Sequence, residues 1–147
     1  MPQRSVSATR IVHAPAARIF DLLADPSKHP LIDGSGSVRA PRPGAPERLA
    51  PGSAFGMDMK IGLAYRIENT VVEFEEDRLI AWRHFNGHRW RWQLTPLADG
   101  TTEVTETFDW STARVPLFFD LSPVPKRNLA SMERSLERLH ALFGSNA

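Results

Sequence analysis

Between residues 53 and 110 the apolar positions recur with a period of two, in five consecutive runs joined by very short links. The runs are SAFGMDMKIG, YRIENTVVEFEE, LIAWRHF, HRWRWQLTPL and TTEVTETFDW. In the first, Phe55, Met57, Met59 and Ile61 share one face while Asp58 and Lys60 share the other. Glu-Asp-Arg, Asn-Gly and Ala-Asp-Gly separate later runs, and each supplies turn chemistry. Strands linked so closely can pair only as an antiparallel meander, because parallel pairing needs a long crossover.

After the meander the period changes. In NLASMERSLERLHALFG, Leu129, Met132, Leu136, Leu139 and Phe143 recur at steps of three and four, giving one apolar helical stripe. Gly144 is suited to stop that helix. Between meander and helix, VPLFFDLSPVPKR is apolar but holds three prolines, of which Pro123 and Pro125 would kink or break a helix. At the other end, SVSATRIVH reads as a first strand over 5–13. Pro15 then opens a helix carrying Ile19, Phe20, Leu22 and Leu23 on one side, and Asp25-Pro26 ends it. SKHPLIDG allows one helical turn ending at Gly34, and APRPGAPERLAPG, residues 40–52, reads as a loop that can move.

The order is thus strand, short helices, loop, long meander, long helix. The α+β solution is a curved antiparallel sheet wrapped around the C-terminal helix, with two short helices closing one end. A curved sheet and a single helix leave space between them that side chains do not fill, so an internal cavity is expected.

Composition narrows the function. The 147 residues suit one domain over 1–147, and 41% hydrophobic content can build a core. Lys and Arg total 18 against 17 Asp and Glu, a formal charge of +1, which disfavours a dedicated nucleic-acid binder. The absence of cysteine removes disulfides, thiolate metal sites and cysteine nucleophiles. No run is long enough for a membrane span and the N-terminus has no signal-peptide core, so a cytoplasmic protein without stable membrane insertion is expected. DGSGS at 33–37 lacks the spacing and lysine of a phosphate loop and reads as a turn, and no cofactor is called for. Neither a Ser-His-Asp signature nor HExxH is present, and no feature specifies a homo-oligomer.

The segments VHAPAARIFDLLADPSKHP, RIENTVVEFEEDRLIAWR, RWQLTPLADGTTEVTETF and NLASMERSLERLHALF together resemble the START-like, Bet v 1-like (SRPBCC) superfamily. The chain looks most like its polyketide cyclase/dehydrase and lipid-transport branch, along nearly its whole length. The resemblance implies the helix-grip fold and a deep apolar cavity between sheet and helix. It further implies relatives that carry lipids, hormones or polyketides, some of which cyclise or dehydrate the bound chain. It rests on apolar positions and turns and carries over no catalytic residue. The loop at 40–52 and the prolines at 123 and 125 depart from it near the expected pocket entrance.

HFNGHRWRWQL, residues 84–94, sets the character of the inner face. A two-residue Asn-Gly turn would pair Phe85 with His88 and separate Trp82 from Trp90. A three-residue loop, with Gly87 in the left-handed position, pairs His84 with His88 instead. Ile80, Trp82, His84, His88, Trp90, Trp92 and Leu94 then share one face, and Arg83, Arg89, Arg91 and Gln93 the other. Burying Trp82 contributes roughly 1.5–3 kcal/mol, more than a turn preference, which selects the longer loop. Arg89 and Arg91 then lie outside, where Glu103 and Thr105 are expected to face them.

The next strand brings Val104, Glu106, Phe108 and Trp110 inward. Glu106 is a carboxyl among apolar neighbours, suited by desolvation to acid or base chemistry, although a structural ion pair would also account for it. His84 could complete an acid–base pair with it, or be a solvated residue at a hairpin end. His84 and His88 lack a third ligand for a metal. The proposed apolar lining is Phe55, Met57, Met59, Tyr65, Trp82, Trp90, Trp92, Phe108, Phe118 and Leu121, with the Tyr65 hydroxyl available to a ligand oxygen. The leading expectation is binding or transport of a hydrophobic small molecule such as a lipid or polyketide. The alternatives are a polyketide cyclase or dehydratase using Glu106 and His84, and a protein-interaction module showing a broad exposed apolar patch.

Overall fold

The computed structural model describes residues 3–34, 38–41, 46–61, 63–84 and 86–144, with the backbone alone at 38, 39, 41, 58, 60, 61 and 63–66. The elements run β1 (Ser5–Val12), α1 (Ala16–Leu23), a 3₁₀ turn (Pro26–Lys28), α2 (His29–Ile32), β2 (Val38–Pro41), β3 (Ala54–Ile61), β4 (Leu63–Glu75), β5 (Leu79–Arg83), β6 (Arg89–Pro96), β7 (Thr102–Asp109), α3 (Pro116–Asp120) and α4 (Val124–Phe143). The strands form one antiparallel sheet in the order β1-β7-β6-β5-β4-β3-β2. The expected meander is its body, and β1 returns to its end beside β7. This is the α+β helix-grip arrangement.

Three local outcomes differ from the expectations. The Pro-rich stretch expected as loop from residue 40 begins inside β2, which pairs with β3 at Ala40 and Pro41. Residues 42–45 of that stretch lie outside the described residues, as does the expectation of movement there. Pro123 and Pro125 do not break a helix. Pro123 caps α4 and Pro125 sits in its first turn, where no intrahelical N–H bond is lost, so the helix starts several residues earlier than its apolar stripe. The segment before it still forms a short helix, α3.

The third difference is in β4, where the register shifts between Val71 and Glu73. Val71 pairs with Trp82 and Phe74 with Ile80, and all four of these side chains belong to the core. A regular strand would have pointed Glu73 inward in step with Val71. The bulge inserts one residue, so Glu73 faces out and Phe74 faces in. On that outer face the Glu73 carboxylate accepts hydrogen bonds from Arg89 at 2.9 Å and from Arg91 at 2.8 and 3.0 Å, and Arg91 reaches Asp109 at 3.3 Å. The arginines therefore lie outside as expected but meet different acids. Leu97 N–H closes the β6–β7 turn on Thr101 O, a register that sets Arg91 opposite Thr107 and leaves Glu103 opposite Thr95.

The hairpin adopts the three-residue loop. Trp82 pairs with Trp90 and Arg83 with Arg89, and the His84 N–H donates to His88 O at 2.9 Å. Gly87 has φ +91°, the left-handed conformation the loop requires. Phe85 lies outside the described residues.

The core has two parts. Ile19, Phe20 and Leu23 of α1 pack with Ile80, Trp92, Leu94, Leu136 and Leu139. Phe108, Trp110, Phe119 and Met132 form the other, so α4 contributes to both. Gly34, just beyond α2, fastens that end to α4. Its N–H donates to the Ser135 hydroxyl at 2.8 Å, and Arg134 donates back to its carbonyl at 2.8 Å. A Cβ there would stand 2.2 Å from Ser131 O, so only glycine permits the approach.

Candidate functional site

Between the inner face of the sheet and α4 lies a pocket of about 360 Å³. That volume is within the range of small-molecule sites. Strand register explains its lining. One row across the sheet runs Val71, Trp82, Trp90, Phe108, and the next runs Phe74, Ile80, Trp92, Glu106. Phe55, Met57 and Met59 of β3 extend the apolar wall. The opposite wall is polar, since α4 presents Arg127, Asn128, Ser131 and Ser135.

Of the expected lining, Phe55, Met57, Met59, Trp82, Trp90, Trp92 and Phe108 border the pocket, as do Glu106 and His84. Phe118 and Leu121 do not. They are 57% and 81% exposed, because the short α3 turns Phe119 inward against Phe108 and leaves its neighbours on the surface. Tyr65 pairs with Met59 in the backbone register, and the role expected of its hydroxyl lies outside the described residues.

Glu106 is 1% exposed. Its Oε2 accepts the Trp90 indole N–H at 2.7 Å, while Oε1 has no hydrogen-bond partner among the described residues. Burial raises its pKa well above the ordinary 4.5, the Trp90 bond opposes this, and the negative charge of Asp33 adds to it. Burial thus favours the neutral carboxylic acid, a form able to donate from one oxygen while accepting at the other.

The histidines are driven the other way. Desolvation, with a smaller contribution from His88, holds His84 down to about 3, and burial holds His88 at about 4. Their rings stack at 4.8 Å. His29 donates from Nε2 to Leu23 O at 2.8 Å and stacks on Trp82 at 5.1 Å, and burial lowers its pKa too. All three rings are thus neutral near pH 7. His84 and Glu106 border one pocket, but the tryptophan row separates their positions on the sheet. Among the described residues no three His, Cys, Asp or Glu side chains converge as metal ligands.

The polar lining residues not foreseen are His29, Asp33, Asn69 and the polar wall of α4. Two had a legible signal. Asn69 alternates with Ile67 and Val71 on the inward face, just as Glu106 does between Val104 and Phe108. Asn128, Ser131 and Ser135 follow helical spacing beside the apolar stripe. His29 and Asp33 reach the pocket only through the tertiary placement of α2.

The model of the family described as polyketide cyclase / dehydrase and lipid transport matches residues 3–144. The chain belongs to that family. The polyketide cyclase / dehydrase and lipid transport family thus accounts for almost the entire sequence, in agreement with the START-like resemblance. The uncharacterised protein Rv0088 of Mycobacterium tuberculosis is 40% identical over 139 residues, covering 91% of this chain and 62% of the relative. The chain thus spans less than two thirds of that relative's length. Protein NE0264 of Nitrosomonas europaea superposes with a TM-score of 0.72 at 15% identity, covering 94% of this chain and 92% of the other. The AHSA1-like protein of Aeromonas hydrophila gives 0.67 at 15% identity, with 97% of each chain covered. At such identities the two structures speak to the fold alone.

Proposed function

We propose that this member of the polyketide cyclase / dehydrase and lipid transport family binds a hydrophobic small molecule in the pocket between sheet and α4. The observation that carries the reading is the composition of the inner face. Trp82, Trp90 and Trp92 stand side by side with Phe55, Met57 and Met59, and the space in front of them is not filled by side chains. Aromatic faces and thioethers give an adaptable apolar wall, and the few polar groups across from it supply orientation. Mass spectrometry of small molecules extracted from natively purified protein tests this. A stoichiometric apolar compound is expected, and a protein that neither carries nor takes up any such compound would contradict it.

A catalytic reading keeps one supporting observation, which is that Glu106 and His84 face the same pocket. A neutral Glu106 could protonate a ligand oxygen as a general acid. His84, with a pKa near 3, is a weak base at neutral pH, so the paired acid–base scheme is the less favoured reading.

A further inference from the structure

Glu106 is the one carboxyl among the buried residues of the described chain. Among the described residues no cation compensates a charge there: the one hydrogen bond to it comes from Trp90, and the acid that acts on it, Asp33, is repulsive. A carboxylate so placed would be a buried charge without a counter-ion, which is costly. As the neutral acid it has a different deficit. Oε2 is satisfied by the indole, and the O–H on Oε1 lacks an acceptor. Asn69, 2% exposed, shows the complementary deficit, an amide oxygen without a donor. Both residues border the pocket, with the Val71–Trp82–Trp90–Phe108 row between their positions on the sheet. A buried donor without an acceptor and a buried acceptor without a donor each destabilise the folded state, and a ligand supplying the partners would remove that cost.

We propose that the pocket selects uncharged, oxygen-bearing ring compounds, whose flat body lies on the tryptophans and whose carbonyl or hydroxyl oxygen accepts a hydrogen bond from the Glu106 carboxyl. Asn69 offers a second point, for a ligand hydroxyl. A carboxylate in place of the neutral oxygen would meet a buried acid and no cation at that depth, so ligands bearing one are disfavoured there. Arg127, the one cation in the lining, is exposed on the first turns of α4 and lies on the other wall. The inference rests on the reading of the pocket as a small-molecule site, and it makes Glu106 a specificity-determining residue.

The test is an NMR titration of the full chain at pH 7 with naphthalene, 1-naphthol and 1-naphthoate, following the indole N–H signals. The expected order is 1-naphthol tightest, by about tenfold over naphthalene, the equivalent of one hydrogen bond, and 1-naphthoate weakest. Glu106→Gln keeps a donor and an acceptor and should preserve the naphthol preference. Glu106→Leu should keep naphthalene and bring the naphthol-to-naphthalene ratio close to one. Should Glu106→Leu not fold, the wild-type order and Glu106→Gln still decide. Naphthalene bound with no preference for naphthol would overturn the inference and leave the pocket reading intact, and so would a preference that persists in Glu106→Leu. Tightest binding of 1-naphthoate would also overturn it, by placing recognition at a cation. If none of the three binds, the pocket reading itself fails with it.

Discussion

A carboxyl group flanked by Trp90 and Trp92 can be neutral or badly solvated, and the neutral form has a measurable signature in stability. The pKa of Glu106 is higher in the folded chain than in the unfolded one. Above the unfolded value the folded state therefore binds the extra proton, so stability is fully present at lower pH and declines as pH rises toward the folded value. Glu106→Gln has no proton to lose. Its stability relative to wild type should grow with pH above about 4.5, by up to about 1.4 kcal/mol per pH unit, in urea unfolding curves measured at several pH values. Parallel curves would show an ionised Glu106. The pocket histidines have the opposite sign. His84 and His88 titrate near 3 and 4 when folded against 6.5 ordinarily, so the unfolded chain binds more protons below pH 6.5. The stability they contribute is complete above 6.5 and is lost as pH falls toward 4. His84→Phe should reduce the drop in melting temperature between pH 6.5 and 4.5, and an unchanged drop would contradict the buried, neutral assignment.

At the scale of elements, the seat of α2 on α4 forms one side of the pocket and depends on Gly34. Ala at this position places a Cβ against the Ser131 carbonyl and the Ser135 amide, both backbone atoms that cannot rotate away. Gly34→Ala should cost about 1–3 kcal/mol in denaturant unfolding, the range for overpacking. It should also weaken ligand uptake, because the polar wall shifts with the helix. Full stability in this variant would mean that the two elements are not in contact. Most elements were legible in the sequence, because the change from a period of two to a period of 3.6 is strong and Asn-Gly with three nearby tryptophans pins the hairpin register. What escaped was local geometry without a period of its own. The β4 bulge reverses the alternation between Val71 and Glu73, and with it chooses the acid that meets Arg89 and Arg91. Pro123 and Pro125 would break a helix interior but are tolerated at a first turn, and the sequence alone does not say which place they take.

At the scale of the whole molecule, sheet and helix meet along two core clusters and leave the pocket between them. The sheet-side lining was readable once the register of one hairpin was fixed, since each strand then contributes alternate residues. The helix-side lining was not, because α4 turns a polar strip of Asn128, Ser131 and Ser135 inward beside its apolar stripe. The expectation that Phe118 and Leu121 line the pocket fails for a related reason: in a five-residue helix, apolar residues on every side do not reveal which one is buried, and Phe119 turns in. No helix among the described residues is long and apolar enough to cross a membrane. The exposed Val115, Leu117, Phe118 and Leu121 lie in and beside the short α3. They also offer a competing place for an apolar compound to adhere, and the decisive experiment must separate the two. The four indole N–H signals of a ¹⁵N-labelled sample do so. Trp82, Trp90 and Trp92 border the pocket, whereas Trp110 lies outside it with its N–H on Asp120 at 2.8 Å. Addition of 1-naphthol should shift the Trp82, Trp90 and Trp92 signals with a common saturation and leave Trp110 nearly still. Saturable binding that leaves those three unmoved, with shifts confined to the backbone of residues 115–121, would contradict a ligand site between sheet and helix.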